Sequence, residues 1–251
     1  MLEDVHAEDF YRTLQELGET VTFVYSKYPK FDLPNLPDGH ELKQYKPKTI
    51  KRKASIVPNR LNKALATTEG TFFYTGNMTF DSMWEQEHFI GQYFIRERQP
   101  HSKLLLLSVF PETTTEKIGL VHVVECNNNI DIIDHFDVSE ETYEKTPVYK
   151  AHNVPTYTET YMGAPTTMPT GTIDRISMNV TMPANYMMTT ENVIVGTRIL
   201  YDEEAGTSVI KKAPYQISNI DEGLMAIVDG DVVGTVKCSL RELSEDEIAT
   251  L

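Results

Sequence analysis

The stretch best furnished for chemistry is Glu125 to Asp137, reading ECNNNIDIIDHFD. On an extended strand Asp131, Ile133, His135 and Asp137 share one face, Ile132, Asp134 and Phe136 share the other, and alternate residues lie about 6 to 7 Å apart. Joined by His122 or Glu125 from the neighbouring run, Asp131, His135 and Asp137 make an oxygen and nitrogen set of the kind that holds a divalent ion, with a histidine as ligand or base. The spacing follows no established ligand motif such as HExxH. A strand that ends in solvent and gathers carboxylates for solubility needs fewer coincidences.

Other catalytic templates are missing. The chain contains no GxxxxGK[ST], GxGxxG or GxSxG, and none of its seven histidines stands beside an obvious serine or cysteine nucleophile. His122 and Cys126 share a strand face but sit about 13 Å apart, too far for direct proton transfer. No catalytic residue and no cofactor is assigned, and enzymatic activity stays an open alternative built on the His122, Asp131, His135 and Asp137 groove.

Charge carries more information than motif. Between Leu42 and Thr68 lie eight basic residues (Lys43, Lys46, Lys48, Lys51, Arg52, Lys53, Arg60 and Lys63) and no acidic one, in a chain of net charge -14. The remainder holds 15 basic and 37 acidic residues. Such an acidic body discourages non-specific contact with nucleic acid or an anionic membrane. The basic arm suits the chain's own body, a neighbouring subunit or, less well, phosphates. Two cysteines, Cys126 and Cys238, make no disulfide framework. No apolar run approaches the roughly 20 residues that span a bilayer, and the first residues lack the pattern of a secretory signal. The expected location is the cytoplasm or a virus particle.

The elements that would carry these residues read as mainly β. Lys103 to Phe110 and Lys117 to Glu125 are apolar runs separated by Pro111 to Glu116, and a third run covers Ile130 to Phe136. Four consecutive leucines, Leu104 to Leu107, fit a strand only if both of its faces are covered. The first two runs predict a central antiparallel hairpin. Ala7, Phe10, Leu14 and Leu17 predict an N-terminal helix stopped at Gly18. Val21 to Tyr25 is β-prone, and repeated prolines then predict an extended arm. Ser82 and Glu85 have capping-box spacing ahead of a short helix presenting Met83, Trp84 and Ile90. Gly76-Asn77 reads as a turn, Phe89 to Arg96 as a strand and Ser139 to Lys145 as a short helix. Residues 147 to 172, rich in Pro, Thr, Tyr and Met, read as a long loop. Ile173 to Met182, Val193 to Tyr201, Ser208 to Lys212, Leu224 to Val228 and Asp231 to Cys238 predict further strands. Asp229-Gly230 predicts a type I′ turn, and Leu243 to Ile248 a terminal helical turn. No internal repeat is visible.

The expectation is therefore an antiparallel β-sandwich or barrel-like body at 69–251, preceded at 1–68 by a helix and a basic arm, with short peripheral helices. The functional reading is a structural or assembly protein that contacts neighbouring subunits through arms and loops, with Trp84, Tyr157, Tyr161 and Met162 as interface anchors. Virion components of the connector, tail or baseplate class are built in this way. Metal-dependent catalysis and nucleic-acid binding are the alternatives.

Overall fold

The computed structural model describes residues 2–25, 48–58, 73–112, 115–141, 143–162, 166–168, 171–173, 176–202 and 207–243. Helix α1 (Leu2–Leu17) leads into β1 (Glu19–Tyr25), β2 (Lys48–Pro58), β3 (Phe73–Thr79), helix α2 (Met83–His88), β4 (Tyr93–Arg96), β5 (Gln99–Glu112) and β6 (Thr115–Glu125). These six strands close into a barrel in the order β1-β2-β3-β6-β5-β4. A second barrel follows, made of β7 (Asn128–Val138), β8 (Lys145–Met162), β11 (Ile176–Pro183), β12 (Val193–Asp202), β13 (Thr207–Val228) and β14 (Asp231–Glu242). The short hairpin β9 (Thr166–Met168) and β10 (Gly171–Ile173) is inserted between β8 and β11.

Around its ring the second barrel runs β11-β14-β13-β12-β7-β8. Counted from its own first strand, β7, this is the cyclic order of the first barrel. The third-to-fourth connection carries a short helical turn in both, α2 in one and a 3-10 turn at Ala184–Tyr186 in the other. The repeat absent from the sequence is present in the topology, because pairing order depends on which strands meet and not on a residue pattern. All pairings are antiparallel, and closure leaves neither barrel with an open edge.

The barrel interiors follow from strand alternation. Phe23, Phe94, Leu104, Leu106, Val121 and Val123 fill the first, and the Phe23 ring lies 4.7 Å from that of Phe89 and 5.0 Å from that of Phe94. Met178, Val180, Met182, Ile194, Tyr215 and Leu240 help fill the second. Methionine's unbranched chain suits a tapering interior. The mainly β expectation with an N-terminal helix and a barrel-like body holds.

Several boundaries move. The division at residue 68 cuts through the first barrel, since β1 and β2 belong to it. Lys48 to Pro58 is a barrel stave and not an arm, because Ile50, Ala54 and Ile56 point into the core. Much of the expected loop at 147–172 is strand: β8 pairs with β7 on one side and β11 on the other, its Thr and Tyr residues favouring the pleated conformation. Ile130 to Phe136 pairs in the second barrel, not with the central hairpin. Gly76 lies within β3, where a Cβ would come 1.9 Å from the Ser55 carbonyl oxygen, so close strand approach and not a turn requires it. Phe89 and Ile90 lie in the turn before β4. Glu140 and Glu141 form a turn, Tyr143 has φ 56° and Lys145 opens β8, so the described residues of this stretch form no helix. On α1 only Leu14 of the expected stripe is well buried, at 4 %, whereas Phe10 is 42 % and Leu17 77 % exposed. Asp229 and Gly230 both have positive φ, as the type I′ turn requires. Of the terminal turn only Leu243 lies within the described residues.

Candidate functional site

The four-leucine run locates the most constructed region of the molecule. Leu104 and Leu106 face the first barrel's interior, whereas Leu105 is on its outer face and still fully buried. Cross-strand partners extend Leu105 into a rung, Tyr93, Leu105, Val124 and Phe73, across β4, β5, β6 and β3. The second barrel packs over this rung. The Tyr93 hydroxyl donates to the Pro155 carbonyl, and the Phe73 ring stands edge-on to Tyr157 at 5.0 Å. The facing rung of the second barrel is Tyr157, Thr181, Lys237 and Asp221, across β8, β11, β14 and β13. Both faces of β5 are covered, one by the core and one by the seam.

Backbone contact tightens the seam at one point. Gly91 donates to Leu106 O at 2.7 Å and Gly234 donates to Ile90 O at 3.0 Å. Here α2 meets the second barrel. His88 on α2 is buried, with Nδ1 2.8 Å from Trp84 O and Nε2 3.9 Å from Asp229 Oδ2 in the β13–β14 turn. Trp84 stacks on the His88 ring at 3.9 Å and is 45 % exposed, so it covers a histidine and does not fill a core.

The charged residues expected to reach outward are partly consumed inside. The Arg52 guanidinium bonds both carboxylate oxygens of Glu85 and also Asp81, with Arg52 and Glu85 nearly buried. Lys53 Nζ donates to Gly18 O at 3.2 Å and Thr20 Oγ1 at 3.3 Å. Lys48 and Lys51 are exposed on β2, and Lys43, Lys46, Arg60 and Lys63 lie outside the described residues. Tyr161 and Met162 pair in the β8–β11 ladder opposite Ser177 and Ile176.

The sequence-derived ligand set does not assemble. His122 belongs to the first barrel, where Nδ1 is 3.3 Å from Ser108 Oγ and the ring lies against Phe110. Asp131, on the second barrel, accepts from Asn153 N and Lys212 Nζ, each at 2.9 Å. Burial pushes the Asp131 carboxyl up, but these two bonds and the nearby Lys212 and His152 outweigh it and hold its pKa below the usual value. His135 is engaged by Asp134 at 3.1 Å and Asp137 at 3.3 Å. Among the described residues no group of three or more His, Cys, Asp or Glu is placed to hold a metal. Cation partners and strand separation disperse the carboxylates that one-strand spacing suggested would converge. Burial pushes both cysteine thiols up to about 12, which keeps them protonated and poorly nucleophilic.

A tyrosine of the first barrel's core gives a pH prediction. The Tyr74 hydroxyl donates to Glu125 Oε2 at 2.7 Å, and burial followed by this carboxylate raises its pKa from 10.0 to about 12. The folded state favours the neutral phenol, so its contribution to stability is complete below pH 10 and lost as pH rises through about 12. Ultraviolet titration of the wild type against Tyr74→Phe is expected to reveal one phenol titrating near pH 12. A difference spectrum titrating near pH 10 would contradict it.

Sequence reading missed Glu85 as Arg52's partner and the Gly91 and Gly234 contact. The leucine run and the capping-box glutamate were the available signals for both. Comparison with protein-family models, curated proteins and solved structures gives no match. Among the described residues no helix is long and apolar enough to cross a membrane.

Proposed function

We propose that this chain is an assembly subunit whose hairpins contact neighbouring copies. The observation that carries the reading is a shared placement of exposed apolar side chains. Phe110 on the β5–β6 hairpin is 53 % exposed, Val138 on β7–β8 53 %, Ile210 on β12–β13 71 % and Ile227 on β13–β14 76 %. Phe110 also pairs across the ladder with Leu120, itself 40 % exposed, so the two form a small apolar surface. A single exposed aliphatic is ordinary, but one on each of four hairpins is what strand pairs need when they bury area against other subunits. The closed barrels themselves supply no sheet edge for pairing, so a contact made by a barrel relies on side-chain packing such as that of its hairpins.

The partner in this proposal is a second copy of the chain, and the setting is a virus particle of the connector, tail or baseplate class, by analogy of architecture. Deleting residues 26–63 is not a clean test of the basic stretch, because that removes β2 from the first barrel. Substitution is cleaner. The triple variant Phe110→Lys, Ile210→Lys and Ile227→Lys is expected to keep the wild-type circular dichroism, since exposed sites each change stability by about 0.5 kcal/mol or less. Its apparent dissociation constant for self-association, from sedimentation velocity, should rise at least about tenfold. An unchanged constant would overturn the proposal.

A further inference from the structure

The topology shared by the two barrels singles out one exposed face. Strand order equates β2, β3, β6 and β5 of the first barrel with β8, β11, β14 and β13 of the second. Setting Gly119 against Gly234 fixes the register, since the core residues Val121 and Val123 then match the core residues Val236 and Cys238. In that register the seam rung Tyr157, Thr181, Lys237 and Asp221 has as its counterpart Val57, Thr75, His122 and Ser108. The second barrel packs this face against the first, whereas the first barrel's version of it is open: Val57 is 56 % exposed. The next rung, Ser55, Asn77, Leu120 and Phe110, adds the exposed Leu120 and Phe110. Helix α1 forms one rim, where the exposed Phe10 and Leu17 line a groove with Ser55 and Val57. Five exposed large apolar side chains on one continuous surface mark a contact face.

We propose that this face packs against the same face of a second copy, forming a twofold pair. The pairing rests on the self-association proposed for the chain and gives it one surface and one symmetry. Repeating the seam from copy to copy would be another way to cover the face, but the second barrel lacks the surface to receive it. The first barrel receives the seam on Phe73, Leu105 and Val124, and in the same register the matching residues of the second barrel are Asn179, Asn219 and Ser239, all polar. The exposed Val138, Ile210 and Ile227 of the second barrel stand on three separate hairpins. An apolar face gains most by meeting an apolar face of similar extent, and an isologous contact supplies one in the identical surface of the second copy. Two rim cations are already engaged, Arg96 by Glu19 and Lys117 over the Tyr11 ring, which lessens repulsion between the copies.

The test is a charge swap on the full chain, read by sedimentation velocity. One variant carries Val57→Glu and Leu120→Glu, the other Val57→Lys and Leu120→Lys. Each alone meets its own charge across a twofold contact, so its apparent dissociation constant should rise at least about tenfold. An equimolar mixture of the two should recover association to within about threefold of wild type, because only a face that meets itself brings the opposite charges together. Recovery also shows that both variants are folded. Weakening without recovery would overturn the twofold pairing, since the face would then meet a different surface. Wild-type affinity in both variants would overturn it while leaving self-association through other hairpins standing. A wild-type chain that stays monomeric at every concentration would overturn it together with the proposed self-association.

Discussion

Gly91→Ala is expected to lower the free energy of unfolding by about 3 kcal/mol. Gly91 has φ 82°, and a Cβ there would lie 1.8 Å from the Gly234 carbonyl oxygen and 2.6 Å from its carbonyl carbon. A left-handed conformation costs a residue with a Cβ about 1 to 2 kcal/mol, and forcing packed backbones apart costs about 1 to 3 kcal/mol more. Gly230→Ala separates the two contributions. Gly230 has φ 84°, yet nothing lies within 4 Å of its Cβ position, so only conformational strain applies and the loss should be about 1 kcal/mol. Urea unfolding of both variants measures the difference. Equal losses would mean that the backbone contact at the seam contributes no packing constraint.

Glu85→Ala should be comparably damaging, at about 3 kcal/mol, because it leaves the nearly buried Arg52 guanidinium only the exposed Asp81 carboxylate as counter-charge. The two side chains are 13 % and 10 % exposed, and Glu85 also accepts from the Asp81 backbone N–H at 2.9 Å. Removing one member of a buried pair leaves an uncompensated charge, whereas replacing both by apolar residues of similar volume is often close to neutral. The double variant Arg52→Met with Glu85→Leu should therefore recover most of the loss in the same urea measurement. A double variant as unstable as the two single losses combined would show that the pair acts independently of its mutual charge.

Much of the fold was legible where side-chain alternation speaks directly. The Asp229-Gly230 turn follows from its two positive φ angles, and the covered faces of β5 follow from four leucines in a row. What was not legible depends on long-range pairing. The identical strand order of the two barrels is a property of which strands meet, and no residue in either barrel encodes it locally. The prolines and threonines of β8 resembled a loop because Pro147 and Pro155 interrupt the usual strand signal, yet they sit where the β7–β8 ladder is irregular or near its end. The site was less legible still. The basic residues around Arg52 drew attention as a surface, and only the fold reveals that Glu85 from α2 neutralises Arg52. Asp131 and His122 shared a plausible chemistry but belong to different barrels.

The central claim, that exposed hairpins join copies of this chain, is tested most directly by absolute mass from light scattering across a concentration series at low and moderate salt. The account predicts a mass of two or more times 28.6 kDa, or one that grows with concentration, and that persists at moderate salt because the contacts are apolar. A constant 28.6 kDa at every concentration and both salts would contradict it.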